Sequence, residues 1–527
     1  MKVRQFINLV GSDYQNILKA VFAGLMLFLA FPDNDVHLLV LVGFVPLLFI
    51  AEECSYRKIY IYSLISGMIL ICCSYSWLRF LGRVFVGTPF PLDYVFWLFN
   101  GFYISQLFCL IFLTYAYARR HTKIPEIILF PVIVVSIWSF FPNLFYFNLA
   151  NSIGGFLPAI QASEFTGVFG VDFMVALVNI TIFKLIQLFR TREGIRSLGV
   201  ALLVIVAWFS YGTYSLHQWD REIENWEVKK IGIIQPNRAS FLAEMPEEKG
   251  DTLEHPLEME LSRKVIREGA ELVIWPEGHF RAYLNYSSVT KSYRQFVADT
   301  GVPLILHDTP VMFKNEKPIY RNSSIWIKKN GQLGGMSHKR FLVPLGEYVP
   351  FFSRFEGLVE SFGLSNITPG DKVEVFDTAG MKITPLICYE IQFSQFAAES
   401  IRDNAAGNVI LTQSNDGWYG KEAQSEQHRS SNALRAVENR VPVIHVINNG
   451  RSSVVLPNGR VVYLAESWKQ SAEVAQLPYS RKSGGSFFSR YPGLFLNTVR
   501  LFGLLFLIHL FIANPGLFAR FRRKRQR

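Results

Sequence analysis

Of the five cysteines in the 527 residues, Cys54, Cys72, Cys73 and Cys109 lie in or beside apolar runs, where a small apolar side chain is an ordinary occupant. Cys388 stands alone in the polar middle of the chain, after the apolar run MKITPLI and before Tyr389 and Glu390. A lone thiol is either buried and inert or a nucleophile. At a strand end, on a tight turn, a nucleophile is presented while its backbone stays rigid. Free Cys has a pKa of about 8.5, so a thiolate near neutral pH needs a base or a cation beside it. Two other segments supply such groups: ELVIWPE ends on Glu277, and HKRFLVPLGEYVPF carries Lys339 and Glu347. Thiol, carboxylate and cation are the parts from which a nucleophile is activated. No HExxH, paired CxxC or His cluster suggests a metal, and no GxSxG or Gly-rich phosphate loop is present. His279 and His338 read as polar groups lining a site, and His428, near the start of a helix, as structural.

The segments that must position these residues read as alternating strands and helices. Short β-branched or aromatic runs predict strands at 228–235, 271–277, 302–308, 323–329, 381–390, 408–416 and 441–450. Helical periodicity falls at 256–270, 287–300, 393–405 and 424–439, and the Asn-Gly of PNGR predicts a closing hairpin. This alternation implies a layered α/β domain.

Around that domain the composition changes. Half of the chain is hydrophobic and only 18% is charged, against roughly 25% for a soluble domain. Apolar runs at about 17–31, 37–52, 59–78, 93–117, 124–141, 168–189, 197–215 and 494–513 predict eight spans, the first two short for a bilayer. The net charge of +11 suggests nucleic acid until it is located. Residues 216–485 carry 31 basic and 32 acidic side chains, so the whole excess sits beside the apolar runs. That excludes a nucleic-acid groove and fits a membrane protein. Lys2, Arg4, Arg57, Lys58, Arg119, Arg120, Lys123, Arg190, Arg192, Arg196 and the tail from Arg520 fall on one side, while Arg79 and Arg83 alone fall opposite. The positive-inside rule then puts both termini in the cytoplasm and the α/β domain outside. The expected domains are 1–217, seven helices; 218–485, catalytic; and 486–527, the last helix with a basic tail. The aromatic, Gly-rich stretch 141–167 is either a lipid entry or a packed connection.

WPE with Glu277, HKRFLVPLGEYVPF with Lys339 and Glu347, and CYE with Cys388 together resemble the Glu-Lys-Cys triad of the nitrilase superfamily. With the domain inserted before the last span, the chain resembles the apolipoprotein N-acyltransferase family. YRNSSIWI around Asn322 and Ser323, SNDGWYG, QHRSSNALRAVENRVPV, INNGRS and QASEFTGVFGVDF carry the likeness further. Two departures concern substrate grip. The segment 235–244 lacks a Trp that members of the family often carry, and His445 stands near where a basic residue usually precedes INNG.

The resemblance implies an α-β-β-α nitrilase-like sandwich on the outer face of a bacterial inner membrane, held by a polytopic helical domain. The implied reaction moves an acyl chain from a phospholipid to the α-amino group of a diacylglyceryl apolipoprotein, through a Cys388 thioester and without cofactor or metal. Glu277 would be the general base, and Lys339 with the Tyr389 N–H would hold the oxyanion. Glu347, Tyr389 and Glu390 would support them, and Trp418 and Tyr419 would shape the acyl pocket. A monomer is expected. A membrane-tethered amidase, in which water resolves the same thioester, is the alternative; a transporter or scaffold is disfavoured because Lys184, Glu164 and Asp172 lie near span ends.

Overall fold

The computed structural model describes residues 2–85, 89–143, 145–191, 195–238, 252–278, 282–344, 347–348, 367–403, 407–421, 424–482 and 484–513. His279, most of 235–244 and the tail from Arg520 lie outside them. The chain divides into two compact units: Met1–Ser76 with Val95–Thr213 and Gly493–Arg527, and Trp77–Tyr94 with Tyr214–Pro492. The segment 77–94 thus belongs with the α/β unit, although its sequence reads as a link between two spans.

The first unit is helical. Among the described residues five helices are long and apolar enough to cross a bilayer: Tyr56–Ser74, Leu92–His121, Val168–Leu188, Ser197–Ile223 and Leu494–Ile512. Eight spans were expected, and the run at 37–52 is broken rather than one continuous helix. It forms a 3-10 turn, His37–Leu41, and a nine-residue helix, Val45–Glu53, about 14 Å long where a bilayer core is about 30 Å. The break is satisfied from far along the chain. Asn179 accepts the Phe44 N–H at 2.8 Å and donates to Val40 O at 2.9 Å, and a Cβ on Gly43 would stand 2.5 Å from Leu27 Cδ2. Non-helical backbone is tolerated at such depth when protein buries and pairs it. Helix Glu126–Phe140 has 15 residues, about 22 Å, also below a full span. The stretch 141–167 holds three short helices, Leu149–Ile153, Leu157–Ile160 and Ser163–Thr166, the first wholly buried. Asn148, at the N-cap of the first, donates to Asp172 at 2.7 Å, as suits a packed connection.

The second unit contains two six-stranded sheets. The first runs β14 (Ser471–Tyr479), β1 (Glu227–Gln235), β2 (Leu272–Ile274), β3 (Leu304–Asp308), β6 (Ser323–Ile327), β7 (Leu333–His338). The second runs β13 (Val461–Leu464), β12 (Ser453–Val455), β11 (Val443–Ile447), β10 (Val409–Ser414), β9 (Met381–Ile387), β8 (Phe376–Thr378). A separate hairpin joins β4 (Val311–Lys314) to β5 (Lys317–Tyr320). Side-chain alternation builds the layers. Ile231, Ile233, Leu272 and Ile274 face Ile383, Leu411, Ile444 and Val446 in one core between the sheets. Their neighbours Ile234 and Val273 turn outward against Met259, Val265 and Phe296 of helices Leu257–Arg267 and Ser287–Thr300. On the far side Leu386, Ile410 and Val443 meet Phe396 and Ala436 of helices Ser394–Asp403 and Gln424–Asn439. The architecture is the expected α-β-β-α sandwich. The Asn458-Gly459 turn closes β12 on β13, with Gly459 at φ +88°.

Candidate active site

Strands β1, β2 and β3 run parallel, as do β9, β10 and β11. Ligand sites in such sheets lie beyond the carboxyl ends of the strands, and four such ends carry the polar residues here: Glu277 after β2, His307 in the last turn of β3, Cys388 after β9 and Asn415 after β10. Lys339 follows β7 at the sheet edge.

Cys388 sits at φ +51° and opens the 3-10 turn Cys388–Gln392. A residue with a Cβ is strained in this left-handed region. The turn is held by Glu390, which accepts from the backbone N–H of Arg340 at 2.6 Å, Phe341 at 3.1 Å and Ile387 at 2.8 Å. Burial pushes the Glu390 carboxyl up to about 7 against those three donors. Tyr389, also buried, packs edge-on to Phe393 at 4.9 Å. Burial raises the Cys388 thiol well above its ordinary range, as Glu277 does, while Lys339 opposes them. At rest the sulfur is therefore protonated, and reaction requires a base.

Lys339 is 1% exposed and donates to Glu347 Oε1 at 2.9 Å. Burial favours its neutral form, but Glu347, Cys388 and Glu277 outweigh burial and hold it firmly as an ammonium. Glu347 Oε2 accepts the Val343 N–H at 2.8 Å. Glu277 accepts from Asn322 Nδ2 at 3.2 Å on Oε1 and from the Asn415 N–H at 3.1 Å on Oε2. The same Asn322 Nδ2 donates to Glu347 Oε1 at 2.8 Å. Asn322, quoted above only as part of a motif, is thus the residue that ties the two carboxylates together. Nothing local in the sequence marks it beyond its place before the Ser-Ser of β6.

Beyond Cys388, the turn Asp416–Tyr419 carries half-buried Trp418 and buried Tyr419. Burial, then proximity to Cys388, raises the Tyr419 hydroxyl well above its usual value. Tyr419 packs edge-on against Trp77 at 5.1 Å, and Trp77 Nε1 donates to Gln427 at 3.3 Å. Phe80, from helix Leu78–Phe85, lies where a Cβ on Gly420 would come within 3.0 Å of its ring. Residues 77–80 therefore brace the loop that bears Trp418 and Tyr419, which their place in the sequence does not suggest. His428 pairs with Asp416 at 3.0 Å and is buried. His445, 0% exposed, lies between Asn432 at 2.9 Å and Ser414 Oγ at 2.7 Å, and burial drives it down to about 3. His338 engages Ser323 Oγ at 2.7 Å.

Comparison with known proteins follows the same division of the chain. A family model described as apolipoprotein N-acyltransferase N-terminal domain matches residues 23–181, and one described as carbon-nitrogen hydrolase matches 234–481. The chain is 26% identical to an apolipoprotein N-acyltransferase of Geobacter metallireducens over 517 residues, 94% of each protein. It is 31% identical to one of Rhizobium rhizogenes over 59% of this chain and 60% of that one. Among solved structures, an amidase from Nesterenkonia sp. aligns at 17% identity and a TM-score of 0.36, over 51% of this chain and 95% of the amidase. With the membrane-type and hydrolase-type models matching in this order, and a relative aligned almost end to end, the chain belongs to the apolipoprotein N-acyltransferase family of the nitrilase superfamily.

Proposed function

We propose that this protein N-acylates the terminal diacylglyceryl-cysteine of apolipoproteins with a phospholipid as acyl donor, through a Cys388 thioester. The observation that carries the reading is a buried thiol at a left-handed strand end, with a carboxylate and a buried ammonium paired to half-buried Glu347 in electrostatic reach. Glu277 takes the thiol proton as Sγ attacks the ester carbonyl of the donor. The oxyanion meets Lys339 Nζ and the Tyr389 N–H, each such donor typically contributing about 10²–10³ in rate. Collapse breaks the ester C–O bond, and the leaving lysophospholipid oxygen takes the proton back from Glu277. The acceptor amine then attacks the thioester and gives a proton to Glu277. The C–S bond breaks, an amide forms and the thiol regains its proton. Glu347 fixes Lys339 throughout, and Glu390 fixes the elbow. Trp418 and Tyr419 shape the acyl pocket.

The eight-span count, an outward-facing catalytic unit, cytoplasmic termini, a bacterial inner-membrane location and a monomeric state belong to the same proposal. The span count rests on the apolar runs, and the orientation on the placement of Lys and Arg and on the need of both lipid substrates to arrive from the bilayer. Mass analysis of the enzyme after incubation with phospholipid alone is the test. One fatty-acyl mass on the Cys388 peptide, labile to neutral hydroxylamine and discharged by a diacylglyceryl peptide, supports it. An adduct that drains only to water makes the protein an amidase-type hydrolase, and no adduct removes covalent catalysis.

A further inference from the structure

The Asn322 side chain poses a choice of orientation. Its nitrogen faces Glu277 Oε1 and Glu347 Oε1, so its two N–H groups match two acceptors. Flipped, the amide would set a third oxygen against two carboxylates. Asn322 is 6% exposed, leaving little room for solvent to correct the error. The deciding contact comes from β3. His307, 3% exposed, has Nε2 2.5 Å from Asn322 Oδ1, while Nδ1 lies 3.1 Å from the Gly278 backbone N–H. A backbone N–H can only donate, so Nδ1 is the acceptor and the ring proton resides on Nε2. That proton is donated to Asn322 Oδ1, which turns the amide nitrogen toward the carboxylates. Gly278 follows Glu277 directly, so the hydrogen bonds form a closed ring: Glu277–Gly278 backbone, His307, Asn322, and Glu277 again.

We propose that His307 is a positioning residue for the reaction, held as its Nε2–H tautomer by Gly278 so that Asn322 gives one N–H to each of Glu277 and Glu347. Burial, which lowers the basicity of His307, keeps the ring neutral as this role demands. A second proton on the ring would oppose the Gly278 donor. The inference rests on the reading of Glu277 as base and Cys388 as nucleophile. The ring matters because the charges here are crowded. Lys339 after β7, Glu347 in the following loop, Asp416 after β10 and Tyr419 in its 3-10 turn act on the thiol, with His428 and His445 beside Asp416, Tyr389 beside Tyr419 and Glu390 beside Lys339. Hydrogen bonds to the charged form are what let a carboxylate stay ionised in such company.

The test uses the full-length detergent-solubilised protein and the rate of Cys388 alkylation by iodoacetamide across pH, read as peptide mass, beside thioester formation from phospholipid. His307→Leu removes the donor to Asn322. Its acid limb should move up by about one pH unit, with a rate about tenfold lower on that limb. His307→Gln can still extend an N–H toward Asn322 and should restore the wild-type limb. His307→Asn keeps an acceptor for Gly278 but falls short of Asn322, so it should behave as His307→Leu does; it carries the test if the leucine variant fails to fold. A limb that stays in place in the Leu or Asn variant overturns the proposal, as does failure of Gln to rescue in a variant that melts like wild type. The two readouts separate the failures. A shifted alkylation limb without any wild-type thioester sinks the acyl-transfer reading and leaves the ring standing, whereas a normal thioester with an unmoved limb sinks the ring alone.

Discussion

Replacing Glu277 by Gln tests its proposed role as base, because burial holds the resting thiol away from ionisation. A free thiol of pKa about 8.5 is only a few per cent thiolate at pH 7, and burial pushes Cys388 higher still, at about 1.4 kcal/mol for each further unit. Loss of a positioned base typically lowers a rate by about 10²–10⁴. The substitution is not sterically silent either. Both Glu277 oxygens accept hydrogen bonds, from Asn322 Nδ2 and from the Asn415 N–H, whereas an amide offers one oxygen and one NH₂. Whichever way Gln turns, one donor faces another, at about 1–3 kcal/mol for the unsatisfied group. The variant should therefore form the Cys388 adduct at least about 10²-fold more slowly and melt a few degrees lower, at roughly 2–4 °C per kcal/mol for a domain of this size. Single-turnover acylation followed by the mass of the Cys388 peptide measures the first effect, and thermal unfolding of the same sample measures the second. Acylation within about tenfold of wild type would refute the assignment of Glu277 as base.

Lys339→Ala leaves half-buried Glu347 without its cation, so acylation should fall by about 10² or more and stability by at most about 3 kcal/mol; acyl transfer near wild-type rate in the folded variant would remove Lys339 from the oxyanion site. A reporter fused after Trp219 or within 310–320 should read as extracytoplasmic and one after Arg527 as cytoplasmic, and the opposite pattern would overturn the orientation. His445 should make the fold acid-sensitive. Its pKa is about 3 in the folded protein against about 6.5 unfolded, so the unfolded chain binds the proton first. The stability it supports is intact above pH 6.5 and declines as pH falls toward 3, by about 1.4 kcal/mol per unit and at most about 5 kcal/mol in all. Asp308 and Glu390, raised to about 6 and about 7, act in the opposite sense, weakening the fold as pH rises from about 4 to 7. The difference between wild type and His445→Gln in a melting series from pH 4 to 7 isolates the His445 contribution, and parallel curves would contradict it.

The legible parts of this protein were those whose causes are local. Glu277 and Cys388 end apolar runs because buried parallel strands are apolar on both faces and stop at the residues that leave the sheet. That made the strands readable as a layered α/β domain, while the sandwich and the triad were implied by the likeness of the motifs to a known family. Strand β7 escaped because LGGMSH has two glycines and is only half buried, and β14 because SAEVAQLPY alternates weakly. The illegible parts depend on partners far along the chain. Hydropathy makes 37–52 one continuous run, since it cannot register that Asn179 satisfies the backbone at a break within it. Trp77 and Phe80 follow one apolar run and precede another, yet brace a turn more than 300 residues later, which only the packing of Trp77 on Tyr419 reveals. Asn322 and His307 carry no signal of their own. Asn322 stands just before a strand, where many polar residues serve, and a histidine one place short of the end of VPLILHD could be any polar residue near a strand terminus. Their meaning lies in a proton position, and that position is fixed by the one group in the ring that cannot accept, the Gly278 N–H. Residue type and spacing suggest a nucleophile and a base. The direction in which each hydrogen bond is donated decides how the proposed base is aimed when a substrate arrives.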